Sequence, residues 1–352
     1  MFFIGLGTAV PRRRYAQREC WQAFQQCPQF SRLNARARAI LKKVLRGDNG
    51  IAARHLAVED LRDAFELTPD ALHARFARHA PALATQAAER ALTDAGLRPD
   101  QIDAVIISTC TGYLCPGLTS YVSEQLGLRR NVLALDLVGQ GCGAAVPNLR
   151  MAEALLVSKR ANKVLSICVE VCSAALYLDN DPGVLISACL FADGAGAAVL
   201  SRTAKPGRRR VEWKAADTTL SVADRDLLRF EQKDGMLRNI LTPQVPALAA
   251  KHAATVLQGL LDQTGIEQNQ ITTWILHAGG REVLTALRKK LGLSENDLAR
   301  SAAVLCEYGN ISSPFVFFVL QAALADKAPG GWWWLSSFGA GFSCHGALLK
   351  VE

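Results

Sequence analysis

An α/β fold, two related halves each with helices laid on the faces of a sheet, is what this 352-residue sequence predicts, on three observations. Continuous apolar, β-rich runs recur at 104–110 (AVIISTC), 131–138 (NVLALDLV), 163–170 (KVLSICVE) and 196–201 (GAAVLS), the kind of strand buried on both faces of a sheet. Helical stretches at 118–127 and 143–160 fit between them, which gives strand–helix–strand alternation. A basic, Pro- and Gly-containing stretch, RTAKPGRRR at 202–210, separates this region from a second series of strands and helices, so the boundary falls between halves 1–203 and 204–352.

In chain order, MFFIGLGTAVPRRR puts its apolar stretch before its charges and reads as a first strand, not a secretory leader. Helical periodicity with few breakers covers 17–46 and 81–96, the latter stopping at Gly96-Leu97-Arg98-Pro99 in the Gly-then-Pro manner of a helix end. The second half reads as a helix across 247–264, the strand TWILHA (273–278), a helix over 280–291, the AAVLCEYG segment, a helix over 314–325 and closing strands at 332–338 and 343–351. No residue identity links the two halves; the duplication is inferred from element order alone.

Half of the residues are hydrophobic and 20% are charged, which excludes a largely disordered chain. Forty Lys+Arg against 32 Asp+Glu leave a net charge of +8, which favours anionic partners. Aromatics do not interleave with the basic runs at 12–14, 32–46 and 207–210, so a base-stacking nucleic-acid surface is not expected. The ten cysteines sit mostly in apolar runs, as buried reduced thiols do, and no C-x-x-C pair suggests a metal. No stretch has the ~20 apolar residues of a membrane span. The expectation is a cytoplasmic protein without stable membrane association, metal or redox cofactor.

Three places could carry chemistry. VGQGCGAAVPNL (138–149) leads a strand through glycines into a helix with Cys142 at the turn, where unpaired amides favour a thiolate. The same residues fit a loose dinucleotide fingerprint, with Glu170 ending the next strand as a ribose-binding acid. His277 projects from a strand end before Gly279-Gly280, and Asn310 stands in a Gly-Asn turn before a helix. Taken one at a time, each residue is equally at home as a buried thiol, a hydrogen-bonded imidazole or a turn amide.

Together, Cys142, His277 and Asn310 resemble the Cys-His-Asn set of the thiolase superfamily's condensing enzymes. The words CTGYLCPGL (110–118), GQGCGAAVPNLRMAEAL (139–155), LFADGAGAAVLS (190–201), HAGGREVL (277–284), YGNISSPFVFFVL (308–320) and SFGAGFSCHGALL (337–349) look, in this order, like a bacterial type III polyketide synthase of the chalcone and stilbene synthase family. The nearest alternative is a ketoacyl-carrier-protein synthase III-like enzyme, which usually has HQAN and GNTS where this chain has HAGG and GNISSPFV. A non-catalytic nucleic-acid- or lipid-binding protein is the alternative from a different class.

The resemblance implies the thiolase fold, two α/β halves in five α-β-α-β-α layers, and a homodimer. It implies decarboxylative condensation of malonyl-CoA onto an acyl-CoA starter, giving a pyrone, resorcinol or related aromatic polyketide. Cys142 would carry the acyl chain, and His277 would help keep its thiolate. His277 and Asn310 would stabilise the malonyl enolate. Phe191 matches the family's pocket phenylalanine, Cys110, Thr111, Cys172, Ala175 and Ser312 its pocket lining, and Cys115 the residue that crosses into the partner's pocket; these mostly small side chains imply a long or bulky starter. Three departures stand out. The second gatekeeper phenylalanine is absent, with Arg238 or Asn239 in its place according to the alignment chosen. The cyclisation loop around Gly339 has Ala340 where plant enzymes have Pro. Lys42, Lys43 and Arg46 lie where CoA phosphates bind without matching one for one.

Overall fold

In a computed structural model that describes residues 1–352, the four apolar runs become the strands Ala104–Thr109, Leu133–Val138, Lys163–Glu170 and Gly194–Ser201. They belong to a nine-stranded sheet in the spatial order Ile271–Leu276, Gly331–Gly339, Ser343–Val351, Val211–Leu220, Phe2–Ala9, Gly194–Ser201, Lys163–Glu170, Ala104–Thr109, Leu133–Val138. Each half repeats one pairing pattern. Ala104–Thr109 is parallel to Lys163–Glu170, which is antiparallel to Gly194–Ser201, itself antiparallel to Phe2–Ala9. Ile271–Leu276 is likewise parallel to Gly331–Gly339, which is antiparallel to Ser343–Val351, itself antiparallel to Val211–Leu220. The half-sheets join only where Phe2 and Phe3 pair with Glu212 and Val211. Leu133–Val138 departs from expectation: it is an edge strand, paired on one side only, and several of its side chains are exposed.

Five layers result. The helix Pro69–Ala95 covers the outer face of the first half-sheet, and Val245–Thr264 covers that of the second. Between the half-sheets lie Ala145–Val157 and Phe315–Ala325, each touching strands of both. The first six residues of this helix, Phe315 to Leu320, are apolar on every side because every side is buried, as in a central helix, and the helix reaches the surface at Gln321. Burying Phe315 and Phe317 there is worth about 1.5–3 kcal/mol each. Close helix–sheet approach needs glycine at Gly5 and Gly7, where an added Cβ would lie 2.2 Å from the carbonyls of Ala91 and Ala87.

Helix boundaries are where the sequence misled most. The periodic stretch 17–46 is three helices, Gln17–Gln26, Pro28–Arg32 and Ala35–Arg46, because Pro28 restarts the chain and Asn34 caps the third by accepting from the Ala37 amide. The helix expected at 81–96 begins at Pro69, capped by Thr68, and runs through Pro81. The AAVLCEYG segment is the end of a helix, Glu295–Tyr308, and Pro182–Leu190 is a further helix, not among those expected from the sequence.

Candidate active site

Both central helices begin at the same end of the molecule, and the candidate residues lie in the turns that lead into them. Cys142 sits in a 3₁₀ turn, Gly141–Gly143, just before Ala145–Val157; Asn310 to Ser313 precede Phe315–Ala325. Gly141 has φ +54, and its α-hydrogens face the Ala340 amide, where a Cβ would come within 2.9 Å. The adjacent Gly339 also packs on the turn's backbone, a Cβ there reaching 2.5 Å from the Gln140 carbonyl. The turn that carries Cys142 is therefore packed closely against one segment, Gly339-Ala340.

Ser312 connects the parts. Its hydroxyl donates to Cys142 Sγ at 3.1 Å, and its amide donates to Asn310 Oδ1 at 2.9 Å. Asn310 Nδ2 donates to the Gly279 carbonyl at 3.0 Å, two residues beyond His277. The Asn310 carboxamide thus has a fixed orientation and one N–H left over. His277 is held edge-on by Phe315 and tilted against Phe338, the residue before Gly339, and neither of its ring nitrogens has a hydrogen-bond partner although both are buried. A buried imidazole without partners is the kind of exception that a ligand completes.

Burial governs protonation here. It pushes the Cys142 thiol up to about 12, against a lowering hydrogen bond from Ser312, and pulls the His277 imidazolium down to about 3. Both shifts favour the neutral forms. Desolvation thus opposes the thiolate that the partial charge of the helix-start amides favours.

Glu170 is buried below this turn and accepts from the Thr109, Thr111 and Ser313 hydroxyls, the Cys110 amide and the Cys110 thiol. Burial raises its pKa. So enclosed, it has no access to a ribose, which removes the dinucleotide reading.

A mainly apolar cavity of about 70 Å³ adjoins Cys142. Cys110, Thr111, Cys172, Ala175, Phe191 and Ser312 are among the residues that line it. Its remoter wall, unforeseen, comes from Cys20, Phe24, Leu61 and Phe65 of the N-terminal segment. Amphipathic spacing marks these residues as buried without saying that they border a void. A wider chamber of about 550 Å³ adjoins, sharing Cys110, Thr111, Gly141 and Ala340.

Several expected positions fall elsewhere. Arg238 is outside the cavity, pairing with Asp179 at 2.8 Å and Glu231 at 2.9 Å. Alternation along the strand Met236–Leu241 turns its neighbour Asn239 to the cavity instead, against the Ser187 hydroxyl at 2.9 Å. Gly339 supports the Cys142 turn without lining either space, and Cys115 is exposed. Lys42, Lys43 and Arg46 are exposed and also outside both spaces, on a helix whose far end reaches the histidine loop through Asp48, paired with Arg281 at 2.6 Å.

Comparison with known proteins agrees with this architecture. A family described as FAE1/type III polyketide synthase-like protein matches residues 9–224, and chalcone and stilbene synthases, C-terminal domain, matches 220–351. The chain is 28% identical to a 3,5-dihydroxyphenylacetyl-CoA synthase of Streptomyces toyocaensis over 99% of its length and 89% of the relative's. It is 30% identical to a 1,3,6,8-tetrahydroxynaphthalene synthase of Streptomyces peucetius subsp. caesius over 97% and 91%. Among solved structures, PKS-I from the brown alga Ectocarpus siliculosus superposes with a TM-score of 0.90 at 28% identity, covering 99% of this chain and 98% of that one.

Proposed function

The chain belongs to the type III polyketide synthases of the chalcone and stilbene synthase family, and from that membership we propose that Cys142, His277 and Asn310 are its catalytic residues and that its starter is a linear aliphatic acyl-CoA. The observation that carries the roles is the continuous set of contacts from Cys142 through Ser312 and Asn310 to the loop of His277. In the first step the Cys142 thiol gives up its proton, for which neutral His277 is the acceptor, and its sulfur attacks the starter thioester; CoA leaves as the thiol and the acyl group stays on sulfur. Malonyl-CoA then loses CO₂, and the electron pair of the broken C–C bond becomes an enolate. Its oxygen accepts from the spare Asn310 N–H and from neutral His277, with no metal or redox cofactor taking part. The enolate carbon attacks the acyl carbonyl, which frees Cys142 and leaves a β-ketoacyl-CoA two carbons longer. Repetition and ring closure give a pyrone, resorcinol or related aromatic product.

The apolar lining of the cavity supports the aliphatic starter, since an alkyl chain loses nothing by leaving water for such walls. Lys42, Lys43 and Arg46 supply positive charge for CoA phosphates on the side of the histidine loop. The edge strand Leu133–Val138, with Val138 60% and nearby Tyr113 69% exposed, supports a homodimer through this edge. A cytoplasmic location suits an enzyme that depends on a reduced thiol.

Incubation with malonyl-CoA and acyl-CoA starters of graded length, followed by mass spectrometry of products and intact protein, tests the reading. Wild type should form starter-sized adducts and polyketides, best with alkyl chains, whereas Cys142→Ala should form neither. Cys20→Trp, which fills the remote wall, should shift preference to shorter chains; an unchanged length profile would refute the placement of the starter, and no adduct with any donor would refute the catalytic assignment.

A further inference from the structure

Arg54 is a buried cation with no carboxylate. It is 3% exposed, forms no ion pair, and leaves its Nε buried without a partner. Burying a guanidinium costs several kcal/mol unless something else meets its charge. What meets it is the end of the helix Pro182–Leu190: Nη1 donates to the Ala188 carbonyl at 2.7 Å and the Phe191 carbonyl at 3.0 Å. Carbonyls at a helix C-terminus lack intrahelical partners and form the negative end of the dipole, so a cation there is favourable.

The two carbonyls between are also occupied. Gln17 Nε2 donates to that of Cys189 at 3.1 Å, and the Asn310 amide donates to that of Leu190 at 2.9 Å. The Asn310 carbonyl returns a bond from the Ala192 amide at 2.9 Å, so Phe191 and Asn310 face one another in a parallel bridge. Gly309, beside Asn310, has φ +73, and an added Cβ would lie 2.9 Å from Arg54 Cγ. The aliphatic stem of Arg54 thus lies across the residue that precedes Asn310 while its head holds the residue that faces Asn310.

We infer that Arg54, assisted by Gln17, is a positioning residue for condensation: it clamps the 188–191 carbonyls and so sets the Asn310 carboxamide and the Phe191 ring as one unit. This rests on the roles proposed above, and it separates the two half-reactions. Cys142 and its turn are packed against Gly339 and Ala340, and Arg54, although it borders the same cavity, makes no hydrogen bond to that turn. Loss of the clamp should therefore impair enolate stabilisation much more than acyl loading.

The test measures malonyl-CoA decarboxylation and Cys142 acylation separately in Arg54→Met, Asn310→Ala and the double variant. Arg54→Met should lower decarboxylation by about 10- to 100-fold and acylation by less than about threefold, and on the Asn310→Ala background it should cost less than about threefold more. Equal losses in both half-reactions, or full additivity with Asn310→Ala, would overturn the clamp. Should Arg54→Met fail to fold, Arg54→Lys, which keeps the charge but not the fork, should show a smaller selective loss with the same coupling; wild-type rates in Arg54→Lys would make Arg54 a stability residue only. If wild type itself does not decarboxylate malonyl-CoA, the polyketide-forming roles fall and the clamp with them, whereas turnover by wild type with unselective losses in the variants overturns the clamp alone.

Discussion

Ser312 makes the one side-chain hydrogen bond to Cys142 Sγ, at 3.1 Å, and removing its hydroxyl isolates the contribution of that bond to thiol reactivity. A hydrogen bond to a charged group is worth about 1.5–3 kcal/mol, so its loss should raise a thiol already pushed up to about 12 by roughly one to two further pH units. The thiolate fraction near pH 8 would fall about 10- to 100-fold, but a more basic thiolate is a better nucleophile. With a Brønsted coefficient of 0.4–0.5, the net loss in alkylation rate is roughly 3- to 16-fold. Ser312 also has φ +59, a strained conformation for a residue with a side chain. Ser312→Gly relieves that strain while losing the same hydroxyl, whereas Ser312→Ala retains it. Iodoacetamide modification followed by intact mass from pH 7 to 10 should show both variants slowed equally, with the glycine protein the more stable of the two. Wild-type alkylation by Ser312→Ala across that range, or slowing in only one variant, would refute the assignment of thiol control to the hydroxyl.

Stability should depend on pH through two buried imidazoles. His277 and His345 are held down to about 3 and about 4, both below the unfolded value near 6.5, so below pH 6.5 the unfolded chain binds protons that the native state refuses. Stability present above pH 6.5 is lost as pH falls, at up to about 1.4 kcal/mol per pH unit for each histidine. Buried Glu170 and Asp193, both raised, act in the opposite sense, so urea midpoints of wild type and His345→Asn should be compared. The variant should lose about one proton's slope between pH 6.5 and 4.5, and parallel curves would contradict this. Gly7→Ala should destabilise the fold by about 1–3 kcal/mol, since its Cβ would meet the Ala87 carbonyl at 2.2 Å and the Ala91 amide at 2.5 Å. An unchanged melting temperature would show that the helix Pro69–Ala95 can move away from its strand.

Strands, the Cys-His-Asn constellation and the family were legible in the residues themselves. Burial on both faces leaves unbroken apolar runs, glycines are required where backbone segments touch around Cys142, and His277 and Asn310 stand in short loops whose spelling is distinctive. All of these depend on neighbours a few residues away. Other properties arise between segments far apart in the chain. Nothing near Arg238 and Asn239 shows that one turns to a cluster of carboxylates and the other to the cavity, because that choice follows from strand pairing and from where Asp179 and Glu231 come to lie. Nothing near residue 54 shows that its side chain closes the end of a helix more than a hundred residues later. The balance at Cys142 has the same origin: a helix start that favours the thiolate is visible in sequence, whereas the desolvation that opposes it depends on every element packed around the turn. The sequence by itself determined the chemistry available to the site; only the tertiary structure decided the depth of its burial, the shape of its cavity and the contacts that hold its parts in place, because these are sums over contacts between distant residues.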